Sequence, residues 1–150
     1  MNITEVRIKL LDNQPDKLRA FASITVDDCL VIRDLKIIEG TNGLFIAMPS
    51  RKMCDRCPSC GCKNHLRARH CNDCGKRLSS DRGGHDERGR IRLYADISHP
   101  IHQEARDLVE KCVLTAFHQE LERSKEVGYV AHSFEDLDYD SYDRANGAKP

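Results

Sequence analysis

Three observations predict an α+β fold. Apolar residues alternate with period two over 4–10 and 18–26, a stripe at helical spacing follows Pro100, and two Cys-x2-Cys pairs lie between them. The expected form is a small antiparallel β-sheet domain with a C-terminal helix, interrupted by a four-cysteine insertion.

The first strand is expected over 4–10, where Val6, Ile8 and Leu10 face one way and Glu5, Arg7 and Lys9 the other. Asn13-Gln14-Pro15-Asp16 supplies a turn. Leu18, Ala20, Ala22, Ile24 and Val26 give a second strand, closed by a tight turn at Asp27-Asp28. Leu30 to Ile38 continues as a third strand, and its alternation slips at Arg33-Asp34, the signature of a bulge. After a turn at Gly40-Thr-Asn-Gly43, Leu44 to Met48 is apolar on both faces, which predicts cover on both sides, the second by another subunit.

Beyond the insertion, Ile91 to Ile97 reads as a fifth strand. Pro100 is expected near the first turn of a helix, where its missing N–H costs nothing. Ile101, Ala105, Leu108, Val109, Cys112, Ala116, Phe117 and Leu121 form the apolar stripe of that helix, and Gly128 is its expected C-cap. Residues 129–150 are acidic, lack periodicity and are expected to be disordered. The resulting organisation is a domain from 1–50 and 90–128, an insertion with polar linker over 51–89, and the tail 129–150. No segment is expected to repeat at a fixed period.

Cys57-Pro-Ser-Cys60-Gly and Cys71-Asn-Asp-Cys74-Gly have the spacing of two metal knuckles. Four thiolates so placed suit tetrahedral Zn²⁺, and the glycine after each second cysteine can adopt φ > 0 to close the loop. With four protein ligands no position stays open for water, so one structural zinc per chain is expected. A segment this short cannot bury enough surface to fold alone, and metal binding supplies the missing stability. Cys54, Cys62, His65 and His70 are alternative ligands in the same segment. Cys29 and Cys112 sit among apolar residues and read as buried small hydrophobes.

The chain carries no net charge, but 51–90 holds eleven Lys/Arg against five Asp/Glu. Local fields therefore govern what this segment attracts. Arg51, Lys52, Arg56, Lys63, Arg67, Arg69, Lys76 and Arg77 surround the knuckles and are the expected phosphate contacts. Residues 51–90 contain no Phe, Tyr or Trp, so base stacking on such rings is not expected in the insertion, and backbone contact to a duplex or arginine stacking fits better. The opening residues have no apolar signal-like stretch and no run approaches membrane-spanning length, which predicts a cytoplasmic protein with reduced thiols. Asp96 and His99 lack an accompanying nucleophile or second carboxylate and read as a hydrogen bond at the start of the helix, not an acid–base pair.

Ile3-Thr-Glu-Val-Arg, Leu18-Arg-Ala-Phe-Ala-Ser-Ile-Thr and the run Ile38-Glu-Gly-Thr-Asn-Gly-Leu-Phe-Ile-Ala-Met-Pro-Ser-Arg-Lys52 resemble the SpoVG (stage V sporulation protein G, septation protein) family. Asp96-Ile-Ser-His-Pro-Ile101 extends the resemblance into the helix. It implies a small α+β fold, a homodimer built through its sheets, and binding of DNA or RNA in bacterial gene regulation linked to septation and sporulation. It brings no catalytic activity, small-molecule substrate or membrane association. Family members join Pro49-Ser-Arg-Lys52 to the strand before Asp96 by a short polar loop, whereas about 40 residues stand there in this chain. The zinc ribbon is thus read from the cysteines and not from the family. The expected function is a dimeric nucleic-acid-binding regulator with the ribbon as a basic arm. The rival from another class is a protein-docking scaffold in a division or transcription complex.

Overall fold

A computed structural model of the chain describes residues 1–11 and 16–133. The turn expected at 13–16 and most of the acidic tail lie largely outside the described residues. The chain divides into two compact units, Met1–Pro49 with the segment from Ser98 onward, and Ser50–Ile97.

The first unit is an antiparallel meander with strand order β1-β2-β3-β4: β1 Ile3–Leu10, β2 Leu18–Val26, β3 Leu30–Gly40 and β4 Gly43–Ala47. Period-two alternation puts Ile8, Ala20, Ala22, Ile24, Leu35 and Ile37 into the core, each essentially inaccessible to water. Asp27 and Asp28 both take positive φ (48° and 54°), the geometry that matches a hairpin turn to strand twist. The bulge expected in β3 is present. Ala22 pairs with Leu35 but Ile24 pairs with Ile32, so β3 carries one extra residue, with Asp34 at φ 63°.

Helix α1, Gln103–Arg123, packs its apolar face on this sheet, chiefly against β1. Its boundaries differ from the expected ones. His102 is the N-cap, its Nδ1 accepting from the Ala105 N–H at 3.2 Å, so Pro100 and Ile101 lie in an irregular lead-in. Ile101 is consequently 88% exposed, while Val113, absent from the expected stripe, is 0% exposed between Val109 and Phe117. The helix ends at Ser124, whose N–H reaches the Glu120 carbonyl at 2.8 Å. Gly128 instead supplies a positive φ of 84° where the chain turns back after the helix.

The tail expected to be unstructured from residue 129 begins with ordered contacts. The Tyr129 hydroxyl donates to Glu120 Oε1 at 2.6 Å, and the Arg123 guanidinium lies 4.8 Å from the centre of the Tyr129 ring. Glu120 is buried and also accepts two Arg123 N–H groups at 3.0 and 2.8 Å.

The expectation for the two isolated cysteines also changes. Cys29 is exposed, because it closes the Asp27-Asp28 turn, its N–H donating to the Val26 carbonyl at 3.0 Å. Cys112 is half-buried. β4 is an edge strand. Leu44, Ile46 and Met48 pack against the core, but Phe45 stays 45% exposed, so the second face lacks cover among the described residues.

The second unit opens and closes on a two-stranded stem. β5, Ser50–Lys52, pairs antiparallel with β8, Tyr94–Asp96. The expected fifth strand is therefore shorter than 91–97 and joins this stem rather than the four-stranded sheet. Ile91 is drawn away into an isolated bridge with His85. Within the unit, β6, Cys54–Arg56, pairs with β7, Lys63–His65.

Candidate metal centre and basic surface

The two Cys-x2-Cys-Gly loops fold alike, offset by the separation of Cys57 from Cys71. Cys57 N–H bonds the Cys62 carbonyl and Cys71 N–H the Lys76 carbonyl, both at 2.8 Å. Gly61 N–H returns to the Cys57 carbonyl (2.9 Å) and Gly75 N–H to the Cys71 carbonyl (3.1 Å). Ser59 and Asp73 N–H groups point at Cys57 Sγ and Cys71 Sγ, each at 3.4 Å. Gly61 and Gly75 adopt φ of 75° and 74°, which a Cβ would disfavour. The two knuckles expected from the doubled Cys-x2-Cys-Gly string thus share one backbone geometry.

The loops bring Cys57, Cys60, Cys71 and Cys74 together, with all four Sγ atoms within 4.8 Å of one another. Cys57 Sγ is 3.7 Å from Cys74 Sγ, and Cys60 Sγ is 3.5 Å from Cys71 Sγ. A tetrahedron with metal–sulfur bonds of about 2.3 Å has edges of about 3.8 Å, so the spacing fits one ion. Cys57 and Cys71 are buried, Cys60 and Cys74 exposed.

The electrostatics divide the four thiols unequally. N–H donors of Cys74 and Asp73, with the Asn64 amide, hold Cys71 down to about 5. The Cys60 N–H, followed by that of Ser59, lowers Cys57 despite partial desolvation. At Cys60 the Cys62 N–H also lowers the value, but the neighbouring Cys71 sulfur and desolvation win and push it up to about 12. Four thiolates this close repel each other, and only a cation among them allows all four to ionise. The cluster can hold a metal ion.

The alternative ligands lie outside this group. Cys54 Sγ faces the Lys52 carbonyl and Cys62 Sγ the Lys63 carbonyl, both at 3.6 Å. His65 Nδ1 accepts from the Arg67 N–H at 3.0 Å. His70 forms an isolated bridge with Arg77.

Two residues that the sequence did not single out fasten the unit. Asn64, buried on β7, donates from Nδ2 to Cys71 Sγ (3.4 Å) and the Cys62 carbonyl (3.0 Å), and accepts the Asn72 N–H at 2.7 Å. Arg82, also buried, donates to the carbonyls of Ser79 (2.7 Å), Ala68 (2.8 Å), His65 (3.2 Å) and Leu66 (3.4 Å). An arginine in a basic segment looks like a surface contact, and only its partners reveal a structural one.

Arg51, Lys52, Arg56, Lys63, Arg67, Arg69, Lys76 and Arg77 are all exposed. None pairs with a carboxylate among the described residues. Arg67, Arg69 and Arg77 line one open cleft of about 1070 Å³ together with His70, Ser79 and Ser80. Arg56 and Lys63 stand directly opposite each other across the β6–β7 ladder. Arg51 and Lys52 lie apart from these on the stem.

The SpoVG family model matches residues 1–119. Several curated relatives bear the name "Putative septation protein SpoVG". The one from Finegoldia magna is 38% identical over 127 residues, covering 85% of this chain and 83% of the relative. That from Bdellovibrio bacteriovorus is 35% identical over 121 residues (81% and 77%), and that from Myxococcus xanthus 32% over 138 residues (92% and 100%). Among the described residues no helix is long and apolar enough to cross a membrane.

Proposed function

The chain belongs to the SpoVG family, and from that premise we propose that it is a nucleic-acid-binding regulator, tied to septation or sporulation-like control in the bacterial cytoplasm. One structural zinc ion on Cys57, Cys60, Cys71 and Cys74 holds the ribbon in shape, and the lysines and arginines around it bind phosphates. Two chains associate as a homodimer, for which the edge position of β4 and the exposed Phe45 speak. No step of bond chemistry is assigned to it.

The observation that carries this reading is the opposition of Arg56 and Lys63 across a short exposed ladder. Like charges directly opposite destabilise a strand pair, and neither Arg56 nor Lys63 forms an ion pair among the described residues, so an external anion is a natural compensation. A polyanion rewards such a surface by releasing its counterions. The test is fluorescence anisotropy of labelled single-stranded and duplex oligonucleotides with zinc-loaded protein at two salt concentrations. Binding that falls steeply with salt is expected. Absence of binding to either at low salt overturns the reading and leaves protein docking as the ribbon's role.

A further inference from the structure

The stem of the second unit carries an exposed aromatic ring beside two cations. Lys52 on β5 and Tyr94 on β8 are directly opposed, which places both side chains on one face of the ladder with Cβ atoms about 5 Å apart. Tyr94 is 49% exposed. Exposure alternates along this stretch: Arg92, Tyr94 and Asp96 are exposed, while Leu93 and Ala95 between them are half-buried. Arg92 and Lys52 therefore flank the ring, one along the chain and one across the ladder. Asp96, opposite Ser50, makes the other end of the face acidic. Among the described residues no second ring and no cation stacks on Tyr94.

We infer that Tyr94 is a stacking platform for one base of a single strand, with Lys52 and Arg92 holding the adjoining phosphates. This rests on the nucleic-acid-binding reading above and adds the form of its substrate. An exposed ring offers a π-face to any base, but only to one that is unpaired, because duplex bases present edges in the grooves and bury their faces. The flanking cations bind phosphate without regard to sequence, so the platform selects strandedness and not sequence. The platform is not drawn from residues 51–90, which hold no Phe, Tyr or Trp. The aromatic residue lies outside 51–90 in sequence, and the stem brings it beside Lys52.

The chain has no tryptophan, which makes the test direct. In full-length, zinc-loaded protein, the indole of a Tyr94→Trp variant is expected to be quenched on titration with an oligothymidine and not with a fully paired two-strand duplex. Tyr94→Ala is expected to weaken single-strand affinity about tenfold while Tyr94→Phe retains it. Duplex affinity and the salt slope are expected to stay as in the wild type. Zinc content serves as the folding control, and the quenching experiment stands if the alanine variant fails to fold. Equal losses for both nucleic acids, no loss for either, or no quenching overturns the platform while the wider reading stands. A wild-type protein that binds neither nucleic acid overturns both.

Discussion

Asn64 Nδ2 donates to Cys71 Sγ across 3.4 Å, so a residue on the strand following the first knuckle holds a sulfur of the second. Its carbonyl oxygen takes the Asn72 N–H at 2.7 Å. One buried amide thus connects the two halves of the cysteine cluster. Partners of this kind orient ligands and tune metal affinity.

Asn64→Leu fills a similar volume but leaves the Asn72 N–H without its acceptor and Cys71 without its side-chain donor. Zinc affinity is expected to fall about 10- to 100-fold, read by competition with a chromophoric chelator. An unchanged affinity would mean that the backbone N–H donors of Asp73 and Cys74 suffice to position Cys71.

Metal analysis of the purified protein is expected to give one zinc per chain, lost in Cys57→Ser and Cys71→Ser and kept in Cys54→Ser and Cys62→Ser. Chelation is expected to unfold Ser50–Ile97 and leave the four-stranded sheet with α1 intact, because the two units have separate cores. Amide exchange separates the two. Loss of protection at Ile24 and Val113 together with the ribbon would contradict it.

Arg82 satisfies four carbonyl groups at once, and Arg82→Leu strands them in a partly buried setting. A loss of at least about 2 kcal/mol in ribbon stability is expected, seen as faster exchange of the Leu66 and Ala68 amides. Gly83→Ala should act on the same region. At φ 100° its added Cβ would lie 2.7 Å from Leu66 Cδ1, and Leu66 is buried.

The Arg123 hydrogen bonds, followed by that of Tyr129, hold the Glu120 carboxyl below the usual glutamate range. A carboxylate lowered on folding stabilises the protein above its unfolded value and loses that contribution as pH falls through the folded one. Glu120→Gln is therefore expected to cost about 1–2 kcal/mol at pH 7, a figure reduced because Arg123 is partly exposed. The difference from wild type should shrink below about pH 4, as measured by urea unfolding of both proteins across that range.

The meander was legible because Val6, Ile8, Ala20, Ala22, Ile24 and Ile37 each obey a period of two, and a residue out of step, Asp34, marks its own bulge. The helix was legible as an element, but not its ends. His102 acts as an N-cap although histidine is seldom read as one, and Val113 is buried by the direction in which α1 faces the sheet. At the cysteine cluster, spacing sufficed to pick out the four residues whose sulfurs converge, because x2 loops leave little conformational choice once two sulfurs converge. Asn64, Arg82 and Tyr94 carry no such spacing. Their roles come from neighbours distant along the chain, which one sequence leaves unpaired.

Local periodicity and cysteine spacing determined the four-stranded sheet, the helix and the clustered thiols, and matching residue strings carried the family resemblance, since each depends on residues near one another in the chain. Which surface Lys52 shares with Tyr94, which carbonyls Arg82 caps and where Glu120 meets Tyr129 were decided by tertiary structure. These pairings are fixed by strand register and chain reversal, and that geometry is set by the packing of the whole unit.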